Sequence, residues 1–152
     1  MQANSLLESL VDSTTLIKVS STLDKSNGKK NLIDGSPETC WASQQGLPQY
    51  IQLTFVDKIL PKRLMITFQG GFVGTRCTLQ IPVAETAAKG WTTFATVYPE
   101  DVNRQQVFEL KPSDSDVLEE GTSIIKFVFE ESSDFFGRIT IYDLRLEGIQ
   151  VQ

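Results

Sequence analysis

The stretch Asn31–Ser43, NLIDGSPETCWAS, decides how the rest of the chain is read. Asp34-Gly35 is a strong turn signal and Pro37 fixes a further backbone angle, yet this small, polar loop ends on a tryptophan, Trp41. A large aromatic at the foot of a turn has two readings. It is a plug that seals the core beneath the loop, or a platform on which a sugar or peptide stacks. Outward from the loop the apolar period is two. YIQLTFV (residues 50–56) sets Ile51, Leu53 and Phe55 on one face, and RLMITF (63–68) does the same with Leu64, Ile66 and Phe68. CTLQIPV (77–83), WTTFATVY (91–98), QVFEL (106–110), SIIKFVF (123–129) and ITIYDLRLEGI (139–149) continue the series, and Leu16, Val19 and Ser20 begin it. About eight strands bounded by Gly, Pro, Asn and Asp clusters predict an all-β sandwich or jelly roll.

The last strand carries a further signal. Ile139 and Ile141 share one parity, whereas Leu144 and Leu146 share the other. A β-bulge at Tyr142-Asp143 accounts for the slip, because one inserted residue re-aims every side chain beyond it. The first 14 residues read as an arm or a short amphipathic helix through Leu6, Leu7, Leu10 and Val11. Residues 15–152 read as one domain, with the acidic stretch KPSDSDVLEEG (111–121) as a solvated hairpin connection.

With 152 residues, 40% hydrophobic and 22% charged, the chain is long enough for a substantial core. Its formal charge of -5 and pI of about 4.7 argue against nucleic acid or an anionic membrane as the main partner. The absence of histidine removes the commonest general base and most zinc or copper sites. Glu130 and Glu131 fall on opposite faces of a strand end, and neither Ser nor Cys has a histidine to activate it, so no enzyme is expected. Cys40 and Cys77 come without a secretory h-region or an Asn-X-Ser/Thr sequon, and are expected to be reduced thiols of the cytosol or nucleus. No apolar run approaches the roughly 20 residues that span a bilayer.

The loop Asp34, Gly35, Thr39, Trp41, the strand that follows, and the closing Leu144–Gly148 pattern resemble the discoidin-like, or galactose-binding-like, jelly rolls. Within that fold, GKKNLIDGSPETCWAS, FQGGF (68–72), YPED (98–101) and DFFGRITIYDLRLEG (134–148) resemble the small nuclear-receptor-associated proteins, described as corepressors of an orphan testicular nuclear receptor. The resemblance implies a non-enzymatic protein-binding module of nucleus and cytoplasm. Its partner would be a nuclear receptor or other transcription regulator, with no nucleic acid or membrane contact, and the chain would act as a monomer. The alternatives are a calcium-stabilised carbohydrate-binding module, or an adaptor subunit of a ubiquitin ligase or ciliary complex.

Two sets of residues follow. Some discoidin-like lectins hold calcium where the early loop meets the last strand. The matching positions are Asn31, Asp34, Ser36, Thr39, Tyr142 and Asp143, which supply two carboxylates, carbonyls and a hydroxyl. The opposing reading has Asp34 capping its own turn and Asp143 pairing with an arginine, with no cofactor required. The expected partner surface comprises Trp41, Phe72 and Arg76 of QGGFVGTR, and Phe135, Phe136 and Arg138 of SSDFFGR. The two phenylalanines of the latter cannot both face the core of an extended segment, and aromatics with arginine are enriched at interface hot spots.

Overall fold

A computed structural model of the chain describes residues 7–84, 87–110 and 120–151. Among these residues nine strands run in the order β1 (Glu8–Ser9), β2 (Leu16–Val19), β3 (Trp41–Ala42), β4 (Gln49–Phe68), β5 (Arg76–Pro82), β6 (Trp91–Val97), β7 (Gln105–Glu109), β8 (Thr122–Glu131) and β9 (Thr140–Gln150). Every pairing is antiparallel. Short 3-10 turns at Lys25–Asn27, Lys29–Leu32 and Ala87–Lys89 punctuate the connections.

The two strands expected over residues 50–56 and 63–68 are one strand, β4. Its first half, through Thr54, pairs with β2 and β8, and its second half, from Ile59, pairs with β9 and β7. The crossing falls at Val56, Asp57 and Lys58, which are exposed on both sides of the pleat. Ile51, Leu53 and Phe55 before the crossing and Leu64, Ile66 and Phe68 after it belong to the same buried cluster. The two halves therefore face one another, and the strands attached to each make the two layers of a sandwich. One layer is β2-β4-β8-β5-β6, and the other joins the second half of β4 to β7 and to β9, which also carries β1 and β3.

The bulge expected in β9 is present. Thr67 pairs with Asp143 and Phe68 with Ile141, which leaves Tyr142 as the inserted residue. Ile141 on one side and Leu144 and Leu146 on the other all reach the core as a result. The short helix considered for the first 14 residues is not found where they are described. Glu8 and Ser9 pair with Gly148 and Glu147, the Leu10 amide donates to the Leu146 carbonyl at 2.8 Å, and the Leu10 side chain is buried. The arm is a strand edge of the sandwich, so the expected division at residue 14 does not separate it from the core. Of the acidic connection at 111–121, residues 111–119 lie outside the described residues.

Gly148 shows how tightly β9 is held between β4 and the arm. A Cβ there would lie 2.1 Å from the Leu60 carbonyl oxygen and 2.9 Å from Leu10 Cδ1. Gly148→Ala is expected to destabilise the protein by about 3 kcal/mol, the upper end of the usual overpacking cost, because the obstructing atom is backbone. The check is a urea titration, in which the midpoint should fall at unchanged slope. An unchanged midpoint would mean that β4 does not approach β9 this closely at Gly148.

Candidate functional site

The loops at 43–48, 69–75, 98–104 and 132–139 meet at one end of the sandwich and are tied together by hydrogen bonds. The Ser43 amide donates to the Ile139 carbonyl at 2.9 Å, and the Ile139 amide returns a bond to Ser43 Oγ at 2.9 Å. The Gly46 amide donates to the Phe136 carbonyl at 2.8 Å. Gly137 lies against this contact with φ of 82°, and a Cβ there would meet the Gly46 backbone at 3.1 Å, so glycine serves both the turn and the close approach. On the other side, Asp101 Oδ1 accepts from the Gly71 amide at 2.8 Å, Asn103 Oδ1 from the Gly70 amide at 2.9 Å, and Ser133 Oγ from the Val73 amide at 2.9 Å.

At the centre is the pair Asp134 and Arg138. The Asp134 carboxylate accepts from the Arg138 amide at 3.0 Å, from its Nε at 3.0 Å and from its Nη2 at 3.3 Å. The Arg138 side chain, foremost through its hydrogen bonds, holds the Asp134 carboxyl below the ordinary aspartate range, and the carboxylate raises the guanidinium in return. So held, the guanidinium lies over two aromatic rings, 5.0 Å from the Phe72 centroid and 5.8 Å from that of Phe136, within cation-π range. Phe136 packs edge-on against Phe135, with centroids 5.1 Å apart. Phe135 is 93% exposed and Phe136 52%, while Phe72 is half-buried. Leu47, 43% exposed, adjoins Gly137 from the 43–48 loop. The result is an apolar and cationic platform on a stiff loop base.

Four of the expected surface residues, Phe72, Phe135, Phe136 and Arg138, are thus brought together. Two are not. Trp41 is 0% exposed and its indole N–H donates to the Ser21 carbonyl at 3.0 Å, so it plugs the core and offers no surface to a partner. Arg76 is exposed on β5 but faces Glu130 and Glu131 at 3.4 and 3.8 Å, away from the aromatic group. Leu47 was not anticipated. Its only sequence signal is its place in Gly46-Leu47-Pro48, a turn that leaves an apolar side chain without a periodic neighbour.

Of the residues matched to a calcium site, Ser36, Tyr142 and Asp143 line a cleft of about 420 Å³, whereas Asn31, Asp34 and Thr39 do not. The side chains of Asp34, Thr39 and Asp143 already have partners. Asp34 accepts from the Ser36 amide at 2.9 Å and the Thr39 hydroxyl at 2.6 Å, and these bonds lower its pKa. Asn31 turns its amide toward the Ser26 and Cys40 carbonyls at 2.9 and 2.8 Å, which closes the preceding turns. Asp143 accepts from Arg145 Nε at 2.8 Å, and Arg145 itself lines the cleft. A guanidinium in the cleft and two carboxylates that both already accept hydrogen bonds are a poor fit to a hard divalent cation. No cluster of three His, Cys, Asp or Glu residues occurs among the described residues. Cys40 and Cys77 are free thiols, and burial raises the pKa of both.

No protein-family model matches the chain. Among solved structures, it is similar to the family 32 carbohydrate-binding module of Clostridium perfringens NanJ in complex with galactose. The TM-score is 0.72 at 16% identity, over 93% of this chain and 99% of that one. It is also similar to chitosan-binding module 1 of a chitosanase/glucanase from Paenibacillus sp. IK-5, with a TM-score of 0.69 at 16% identity over 89% and 96%. These likenesses show the discoidin-like jelly-roll sandwich. Sequence relatives are closer. The nuclear receptor 2C2-associated protein of Homo sapiens is 39% identical over 149 residues, 96% of this chain and all of that one. Its namesakes in Bos taurus and Danio rerio are 39% and 37% identical over 146 residues, 94% of this chain and 97% of theirs. This chain belongs to the family of nuclear receptor 2C2-associated proteins.

Proposed function

We propose that the chain is a non-enzymatic protein-recognition module of nucleus and cytoplasm. It acts as a monomer on a nuclear receptor or another transcription regulator, in the manner of a corepressor, through the Phe135-Phe136-Arg138-Phe72 platform. The observation that carries this reading is the exposure of Phe135 beside Phe136 on loops whose polar groups are already bonded to one another. Rigid aromatics with an arginine, on a base that loses little freedom when a partner docks, are the usual composition of a protein hot spot. The relatives' name supports a nuclear receptor as the class of partner.

The fold of galactose- and chitosan-binding modules favours a second reading, carbohydrate recognition. A sugar site needs polar groups converging beside the aromatic ring, and here the Asp134 carboxylate is taken up by the Arg138 amide, Nε and Nη2. The protein-recognition reading is therefore preferred.

Three measurements follow. Capture of the nuclear receptor for which the relatives are named should weaken by at least about 30-fold in Phe135→Ala, Phe136→Ala, the loss of a hot spot of about 2 kcal/mol. Melting should barely change, since both side chains are exposed. No capture by the wild type, or equal capture by the variant, would sink the proposal, and galactose or chitosan binding that the variant loses would favour the sugar reading. Second, the Asp134 carboxyl should titrate below the unperturbed value of about 3.9 and return toward it in Arg138→Gln, followed by carboxyl NMR. Because its folded pKa is depressed, the stability it contributes is present above the unfolded pKa and lost as pH falls through the folded one. Third, no cation is required, so melts in calcium and in chelator should coincide. A functional site at about 100 times its Kd would add about 2.7 kcal/mol, and a shift of that size would overturn this expectation.

A further inference from the structure

The positive charges are distributed unevenly. Each of the five arginines, Arg63, Arg76, Arg104, Arg138 and Arg145, is ion-paired with a carboxylate. No described lysine enters an ion pair. Four of those lysines, Lys18, Lys25, Lys29 and Lys30, line one cleft of about 500 Å³ whose walls contain no acidic residue. A fifth is close by. Lys18 pairs across the strands with Gln52, and Gln52 with Lys126, so Lys18 and Lys126 stand on the same outer face about 10 Å apart. The Lys126 ammonium is held over the Tyr50 and Trp91 rings, 4.5 and 4.9 Å from their centroids. Burial, and then the Lys18 charge, lower its pKa, which marks the crowding of like charge at this point.

The backbone that presents the cluster is fixed. Asp24, the nearest carboxylate in the chain, caps the first turn by accepting from the Ser26 amide at 3.1 Å. Asn31 ties the second turn to the Ser26 and Cys40 carbonyls, and fully buried Leu32 anchors it. Five lysines on one surface, none of them in an ion pair, form a local positive patch in a chain of net charge -5.

We propose that this lysine cleft, formed by Lys18, Lys25, Lys29 and Lys30 with Lys126 beside it, is a docking site for a short acidic peptide segment of a partner protein. Charge complementarity selects the occupant. Separate lysine ammonium groups spread over about 10 Å and more suit several spaced carboxylates, whereas a single phosphate is more often clamped by the planar fork of arginine, which the cleft lacks. The net negative charge of the chain as a whole opposes a long polyanion such as nucleic acid. The site extends the protein-recognition reading to a second surface that shares no residue with the aromatic platform.

The test is a fluorescence-anisotropy titration of a labelled glutamate-rich peptide, with a labelled short single-stranded DNA as comparator. The wild type should bind the peptide at low salt and weaken as salt rises. Lys25→Gln, Lys29→Gln, Lys30→Gln should bind at least about tenfold more weakly, whereas Lys58→Gln, Lys62→Gln should match the wild type. In wild-type protein, amide shifts on peptide addition should concentrate at residues 18–31 and at Lys126, which locates the site without any variant. The Phe135→Ala, Phe136→Ala protein should bind the peptide normally, so a failed receptor capture and a failed peptide titration are separate results. Absent peptide binding, equal binding by the triple variant, shifts centred elsewhere, or tighter binding of the DNA would each overturn the proposal.

Discussion

Strand β4 carries the chain from one layer of the sandwich into the other, and its backbone has to be satisfied in both. Before the crossing it is flanked by β2 and β8, after it by β7 and β9. A strand with partners on both edges has few backbone groups left for water, which is why its core-facing residues can be as apolar as Ile51, Leu53, Leu64, Ile66 and Phe68. Three register shifts interrupt the pairing of β4 with its neighbours. One lies between Thr54 and Ile59 opposite β8, one between Pro61 and Arg63 opposite β9, and one at Tyr142. Each bulge adds local twist, so the sheet folds over without breaking its hydrogen bonds. The loops that carry the aromatic platform leave from the far ends of β4, β8 and β9. Their relative position is therefore set by this central strand.

The two ends of β4 also organise the polar structure. At its start, buried Gln49 accepts from Ser21 Oγ at 2.7 Å and donates to the Gly46 carbonyl at 2.7 Å, which joins the 43–48 loop to the segment that closes over Trp41. In its second half, Arg63 reaches Glu109 and Glu147 on the flanking strands at 2.7 and 3.1 Å. These exposed pairs add little to stability individually. Their effect is to spend the arginine charge inside the molecule. The lysines keep theirs, and the surface field outside the ion-paired strands is set by where the lysines gather.

Much of the architecture was legible in the sequence, because a half-buried strand writes its period of two directly into residue order. Even the bulge was readable, from the change of parity between Ile141 and Leu144. What escaped depended on distance or on hydrogen bonds. Two strands were expected where β4 is continuous, since Asp57, Lys58 and Pro61 look like an interruption. Pro61 is tolerated because it sits beside a register shift, where a missing N–H costs no ladder bond. The arm over residues 8–10 carried a helical spacing of leucines, but tertiary pairing with β9 overrode it. Trp41 left two readings open, and burial, which no local pattern encodes, selects the plug. Of the site, the local pair Phe135-Phe136 was evident. The stacking of Arg138 on Phe72 joins residues 66 positions apart and requires the fold. The lysine cluster was invisible for the same reason, since only the fold sets Lys126 beside Lys18.

The contrast between the two surfaces follows from how each handles desolvation. At the aromatic platform, the guanidinium that a partner would cover is already paired with Asp134 at 3.0 Å and lies over two rings, so burying it strands no unpaired charge. What remains exposed there is chiefly apolar area, with Phe135 foremost, and apolar area favours tight, short-range contact. The lysine cleft is the reverse. Its charges have no internal partner, so they stay hydrated until an anion arrives and act at longer range than the rings can. A partner carrying an acidic segment would be attracted by the second surface before it is held by the first. Attraction of this kind raises the rate of encounter more than the final affinity, whereas loss of an aromatic anchor acts mainly on the rate of release. In a complex that engaged both surfaces, they would leave separate kinetic signatures, one sensitive to salt and the other to the deletion of a ring.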